Sequence, residues 1–156
     1  MLWLKVALAL CVIAFGTFLG YAAAGKYRSR AQFFVQLHDF NERYLSELGY
    51  ARKPLGELLR SFDARGDFKK MLDAFAAERR TEVKFSYLTA EERENCGNYL
   101  SQLGRGDARS QRDAFGARRA ELGEKKKVCA GQAKEKGALY TKLGLMAGLA
   151  FVILIV

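Results

Sequence analysis

The sequence predicts an all-α protein: an antiparallel helical bundle with an N-terminal and a C-terminal transmembrane helix, each continuous with a long outer helix of the bundle. Three observations carry this. Apolar runs occupy both ends of the 156 residues. The stretch between them is rich in Ala, Leu, Glu, Lys and Arg and holds the single proline, a composition that favours helix. Within it, apolar residues recur at three- and four-residue spacing, the mark of one buried helix face. The expected organisation is a transmembrane helix over 1–25, a cytoplasmic helical bundle over 26–136 and a second transmembrane helix over 137–156.

Residues 2–25 have Lys5 as their one charge. Ala22-Ala23-Ala24 would suit cleavage of a signal peptide. The run is long, however, and Lys26, Arg28 and Arg30 follow it directly. Basic residues hold the flanking segment in the cytoplasm, so an uncleaved anchor is expected. Leu8-Ala9-Leu10-Cys11 is a poor lipoprotein box, because a large residue precedes the cysteine.

From Lys26 no breaker interrupts the chain before Leu48, and Phe33, Phe34, Leu37, Phe40, Tyr44, Leu45 and Leu48 form one apolar stripe. Gly49 ends this helix. Pro54 is expected at the first position of a second helix, where its missing N–H costs nothing, with Leu55, Leu58, Leu59 and Phe62 following. Arg65-Gly66 reads as a turn and Asp67 as the cap of a third helix carrying Phe68, Met71, Leu72 and Phe75. Arg80 to Leu88 alternates at Val83, Phe85 and Tyr87 but has no second strand to pair with, so a connection or short helix is expected. Thr89 and Glu92 make a capping box for a fourth helix, from Ala90 to about Leu103. After Gly104-Arg105-Gly106, Asp107 caps a fifth helix that meets no proline.

That helix ends in LGLMAGLAFVILIV, Leu143 to Val156. Fourteen residues cover about 21 Å, less than a bilayer core, whereas the run from Gly137 covers about 30 Å, with Tyr140 and Lys142 at the headgroups. A buried core helix is the alternative, but it would need to hide every face. Gly16 with Gly20, and Gly144 with Gly148, each form a Gly-x-x-x-Gly pair that lets another helix approach closely. The spacing leaves open whether the two pairs pack within the chain or against a partner.

Most of the net charge of +9 resides in the middle segment. Lys26, Arg28, Arg30, Lys134, Lys136 and Lys142 border the apolar runs, where topology and anionic lipid explain them. Arg105, Arg109, Arg112, Arg118, Arg119, Lys125, Lys126 and Lys127 lie farther out and form either a solvated face or a surface for an acidic protein partner. Cys11, Cys96 and Cys129 have neither metal spacing nor a disulfide framework. His38, the only histidine, lacks a second ligand or an acid-base partner. Arg105-Gly106-Asp107 spells the integrin tripeptide by chance. There is no phosphate-binding glycine loop and no nucleophile set, so no catalytic residue, cofactor, metal or small-molecule substrate is expected. A membrane-tethered nucleic-acid-binding protein is the alternative that the charge raises. Acids mixed among the bases, and few aromatics to stack on, count against it.

Three segments carry a family resemblance. Glu47, Leu48, Tyr50, Pro54 and Leu55 fit a Glu-(aliphatic)-x-Tyr-x-x-Thr-Pro-Leu pattern. Leu103, Gly104, Asp107 and Gln111 fit Leu-Gly-x-x-Asp-x-x-x-Gln. Tyr140, Leu143, Gly144 and Gly148 fit Tyr-x-x-Leu-Gly and an aliphatic tail. In these the chain resembles stage III sporulation protein AB of endospore-forming bacteria, over nearly its whole length. Lys53 stands where the pattern has threonine, Tyr99-Leu100 replaces Phe-Gly, and Cys96 replaces a leucine. The resemblance implies a scaffold similar to the F-type platform proteins of type II secretion and type IV pilus systems. Such a scaffold sits in the mother-cell membrane around the forespore, within the sporulation channel complex. Its helical domain would face the mother-cell cytoplasm and a secretion-type ATPase, and a span that only just crosses the bilayer makes assembly with other subunits the expectation.

Overall fold

A computed structural model describes residues 2–50 and 53–155. It contains α1 (Leu2–Gly49), α2 (Leu55–Ser61), α3 (Gly66–Glu78), α4 (Ala90–Gln102) and α5 (Ala108–Ile155), and no strand among the described residues. The chain forms two compact units, one of Met1–Ala31 with Val128–Val156 and the other of Gln32–Lys127.

In the first, apolar unit, α1 and α5 run antiparallel in close contact. A Cβ on Gly16 would stand 2.6 Å from the Gly144 carbonyl oxygen, and one on Gly148 would stand 3.0 Å from Ile13 Cα. A Cβ on Gly20 would strike the Tyr140 carbonyl, and one on Gly144 that of Gly16. Both glycine pairs therefore meet across α1 and α5 within the chain. Thr17 and Thr141 donate back to the carbonyls of Ile13 and Gly137, each at 2.9 Å, so neither hydroxyl is left unpaired in the apolar stretch. Tyr27 and Tyr140 stack with ring centroids 6.0 Å apart, Arg28 lies 3.6 Å above the Tyr21 ring, and Arg30 donates to Gln132 at 2.8 Å. Both helices are long and apolar enough to cross a membrane, and Trp3, Phe15, Phe18 and Phe151 on them are exposed. Helices that are apolar all round need lipid or neighbouring helices about them.

The second unit has an aromatic core. Phe33, Phe34, Leu37, Phe40 and Tyr44 of the α1 stripe are buried, as the spacing predicts. Phe40, fully buried, meets Phe62, Phe68 and Tyr99 edge-on at 5.2, 6.2 and 6.5 Å. Residues 79–89 form a connection without a helix, begun by Arg79 in the left-handed region at φ 53. Their alternation comes from packing: Val83 is buried, and Phe85 and Tyr87 both turn towards Phe33, at 5.8 and 6.4 Å.

Two helix starts differ from the sequence reading. Pro54 occupies the N-cap of α2, without a side-chain cap bond, and Lys53 pairs with Glu57 at 3.7 Å. Asp67 does not cap α3. The N-cap is Arg65, and the Gln36 side chain of α1 serves it, accepting from Arg65 N at 2.7 Å and donating to Arg65 O at 3.2 Å. Gly66, at φ 58, turns the chain one residue early and leaves Asp67 in the first turn, bonded to Lys70 and the Tyr87 hydroxyl.

Candidate functional site

The functional features of the Gln32–Lys127 unit gather where the end of α1 meets the start of α5. Gly104 and Gly106 take φ 73 and 96, a left-handed region open to glycine. Buried Gln111, one turn into α5, closes the connection from α4. Its Nε2 donates to Gln102 O at 3.0 Å and also to Arg105 O. Its Oε1 accepts from the Tyr44 hydroxyl at 2.7 Å and from Gly104 N at 3.3 Å. Burial raises the Tyr44 pKa, so the hydroxyl keeps the proton this bond requires. Asp107 caps α5 as expected, accepting from Ser110 N at 3.4 Å and from Ser110 Oγ at 2.5 Å. Those bonds hold its carboxyl below the ordinary value.

The pattern residues separate into different roles. Leu103, Gly104, Asp107 and Gln111 build this one connection, and Leu55 packs on it, since a Cβ on Gly104 would stand 2.8 Å from Leu55 Cδ2. Glu47 is buried and pairs with Arg43 at 3.2 Å. Tyr140 belongs to the apolar unit. Tyr50 is 91% exposed, and among the described residues of Gln32–Lys127 it is the one large hydrophobic side chain so placed.

Asn41, in the middle of the α1 stripe, has a role the sequence reading missed. It is fully buried, donates to Phe115 O at 3.2 Å and accepts from the Tyr99 hydroxyl at 3.2 Å. A lone amide inside an apolar stripe was the available signal.

The basic residues from Arg105 to Lys127 divide sharply. Lys125 lies 3.2 Å from the Glu92 carboxylate, which is only 2% exposed. The other oxygen of Glu92 accepts from Thr89 N at 3.1 Å, while Glu92 N donates to Thr89 Oγ1 at 3.2 Å. The expected capping box is thus extended into a bridge between α4 and α5. Arg119 pairs with Glu42 at 2.7 Å, and Lys126 with Asp39 at 2.9 Å. Burial pushes the Asp39 carboxyl up, but the bonds from Lys126 and His38 together bring it below its ordinary value. Arg118 donates to Gln102 at 2.7 Å and covers the Tyr99 and Phe115 rings, each at 5.8 Å. In contrast Arg105, Arg109, Arg112 and Lys127 are exposed and make no ion pair among the described residues.

An open groove of about 570 Å³ lies between α1 and α5, lined by Glu42, Leu45, Ser46, Tyr50, Arg112, Asp113, Gly116 and Arg119. A smaller pocket of about 220 Å³ lies over Phe34, Leu37, Cys96 and Leu122, and the Lys125–Glu92 and Arg118–Gln102 pairs hold its rim. The Cys96 thiol there is pushed up to about 12 by burial and by the Glu92 charge, so it is no nucleophile at neutral pH. No group of three or more His, Cys, Asp or Glu among the described residues could hold a metal ion.

A family model described as Stage III sporulation protein AB matches residues 5–156. No curated protein matches the chain, and no solved structure does.

Proposed function

We propose that this chain, which belongs to the stage III sporulation protein AB family, is a membrane platform subunit of the sporulation channel complex between mother cell and forespore. Gln32–Lys127 faces the mother-cell cytoplasm and binds a secretion-type ATPase, while the apolar parts of α1 and α5 assemble with other membrane subunits. The observation that carries this is the set of exposed cations Arg105, Arg109, Arg112 and Lys127, none in an ion pair among the described residues. Cations that the fold leaves unpaired are the ones available to steer and register an acidic protein. Family membership supplies the sporulation setting.

Capture of the purified ATPase by the full-length chain in lipid nanodiscs tests the reading. The wild type is expected to bind it, in a salt-dependent way, and Arg105→Glu with Arg109→Glu to lose it. Failure of the wild type to capture the ATPase sinks the platform reading, and capture indifferent to charge reversal sinks the contact surface. Orientation is tested separately in a Cys11→Ser background. Cys96 and Cys129 are buried, so a membrane-impermeant thiol reagent reaches them only after unfolding. Labelling of the unfolded chain in intact cells would place the helical unit outside and overturn the orientation.

A further inference from the structure

The groove between α1 and α5 has features that the fold does not use. Tyr50, at its end, exposes 91% of its surface, although an aromatic ring in water gains nothing from being there. Arg112 lies beside it at the C-terminal end of α1, its guanidinium 3.9 Å from where a Gly49 Cβ would stand. No carboxylate among the described residues pairs with it, nor with Arg109 one turn earlier. Arg109, Arg112, Gly116 and Arg119 share one face of α5, since residues three, four and seven apart align on a helix. Gly116 interrupts the wall between Arg112 and Arg119, and a Cβ there would meet nothing within 4 Å. The gap opens on the α5 backbone opposite Leu45 and Ser46.

We propose that this groove is the docking site for an acidic segment of a protein partner, with Tyr50 as the aromatic anchor, Arg109 and Arg112 as the charge contacts and the Gly116 gap as the seat of one side chain. The proposal rests on the reading of α5 as a partner surface and narrows that surface to a single groove. Tyrosine and arginine around a recess are the residue types that dominate binding energy at protein interfaces. Ser46 and Asp113 offer acceptors to the backbone N–H groups of an extended segment. Glu42 in the wall is already held by Arg119 at 2.7 Å, so its charge is met within the fold while those of Arg109 and Arg112 are left for a partner.

The test is photo-cross-linking with the full-length chain in sporulating cells. A photoreactive phenylalanine analogue is placed at position 50, with a second variant carrying it at Lys84, whose side chain is 76% exposed, as the control. The cross-linked peptide is mapped by mass spectrometry. Position 50 is expected to cross-link to an Asp- and Glu-rich segment, and the yield to fall about tenfold with Gly116→Leu or Arg112→Glu, the loss of one strong contact. Gly116→Leu is the informative variant, since leucine favours helix over glycine and a Cβ there meets nothing within 4 Å. An unchanged circular dichroism spectrum and thermal midpoint for this variant separate lost docking from misfolding. Cross-linking to the secretion-type ATPase supports the groove and the platform reading together. Cross-linking to an acidic segment of another protein supports the groove and overturns the ATPase assignment. Nuclease-sensitive adducts, yields no higher than at position 84, or yields unchanged by Gly116→Leu overturn the groove. If the ATPase is still captured in that last case, the platform reading survives.

Discussion

Gly104 and Asp107 show how single residues set the α4–α5 connection. At φ 73, Gly104 would lose a favourable backbone state on substitution, and a new Cβ would press on Leu55. Gly104→Ala is therefore expected to destabilise the helical unit by about 1–2 kcal/mol, read from a denaturant titration of the full chain in detergent. Asp107 makes a pH-dependent contribution. Its folded pKa is lowered from 3.8, so its cap stabilises above the unfolded value and is lost as pH falls through the folded one. Asp107→Ala should lower the thermal midpoint at pH 7, and the difference from wild type should shrink as pH falls below about 4 and on through the folded pKa. A difference that does not shrink with acidification would contradict the carboxylate cap. The sequence identified the Asp107 cap because a cap is local. It did not show that Gln111 closes the same turn, because the Tyr44 that completes the bond lies 67 positions away in the chain.

At the scale of elements, the bonds from α4 and α1 to α5 differ in worth according to burial. Lys125→Met removes the cation beside a carboxylate that is 2% exposed and is expected to cost about 2–3 kcal/mol. Lys126→Met leaves a 50% exposed Asp39 side chain with His38 and is expected to cost less than about 1 kcal/mol. Equal losses in urea titrations would mean that the Glu92 bridge is not the stronger tie. In the apolar unit, Gly144→Leu drives a side chain into the Gly16 backbone, whereas Ala147→Leu adds one on an exposed face. The first should lower the melting temperature of the detergent-solubilised chain and separate α1 from α5 there, with loss of cross-linking between engineered cysteines. The second should do neither.

For the whole molecule, the two units are held together by different contacts. Gln32–Lys127 is held by an aromatic cluster in which Phe40 touches Phe62, Phe68 and Tyr99. Phe40→Ala should cost about 3–5 kcal/mol and abolish the near-UV circular dichroism of that cluster. The apolar hairpin, whose glycine contacts are independent of Phe40, should keep its helical signal in detergent. A single transition that removes both would show the two units to be energetically one.

The five helices, the two apolar runs, the Thr89–Glu92 box, the Asp107 cap and most of the α1 stripe are legible along the chain, because each depends on neighbours within a turn or two. Folding adds that the glycine pairs meet each other, that Gln36 rather than Asp67 serves α3, and that residues 79–89 alternate because they pack on Phe33. The same holds for the cations from Arg105 to Lys127, which look equivalent in sequence. Lys125, Lys126, Arg118 and Arg119 are bound to partners that other helices bring, while Arg105, Arg109, Arg112 and Lys127 are left exposed. The physical reason is common to all of these. A charge or a glycine acquires its role from what faces it, and in an antiparallel bundle the facing residue is remote in the chain.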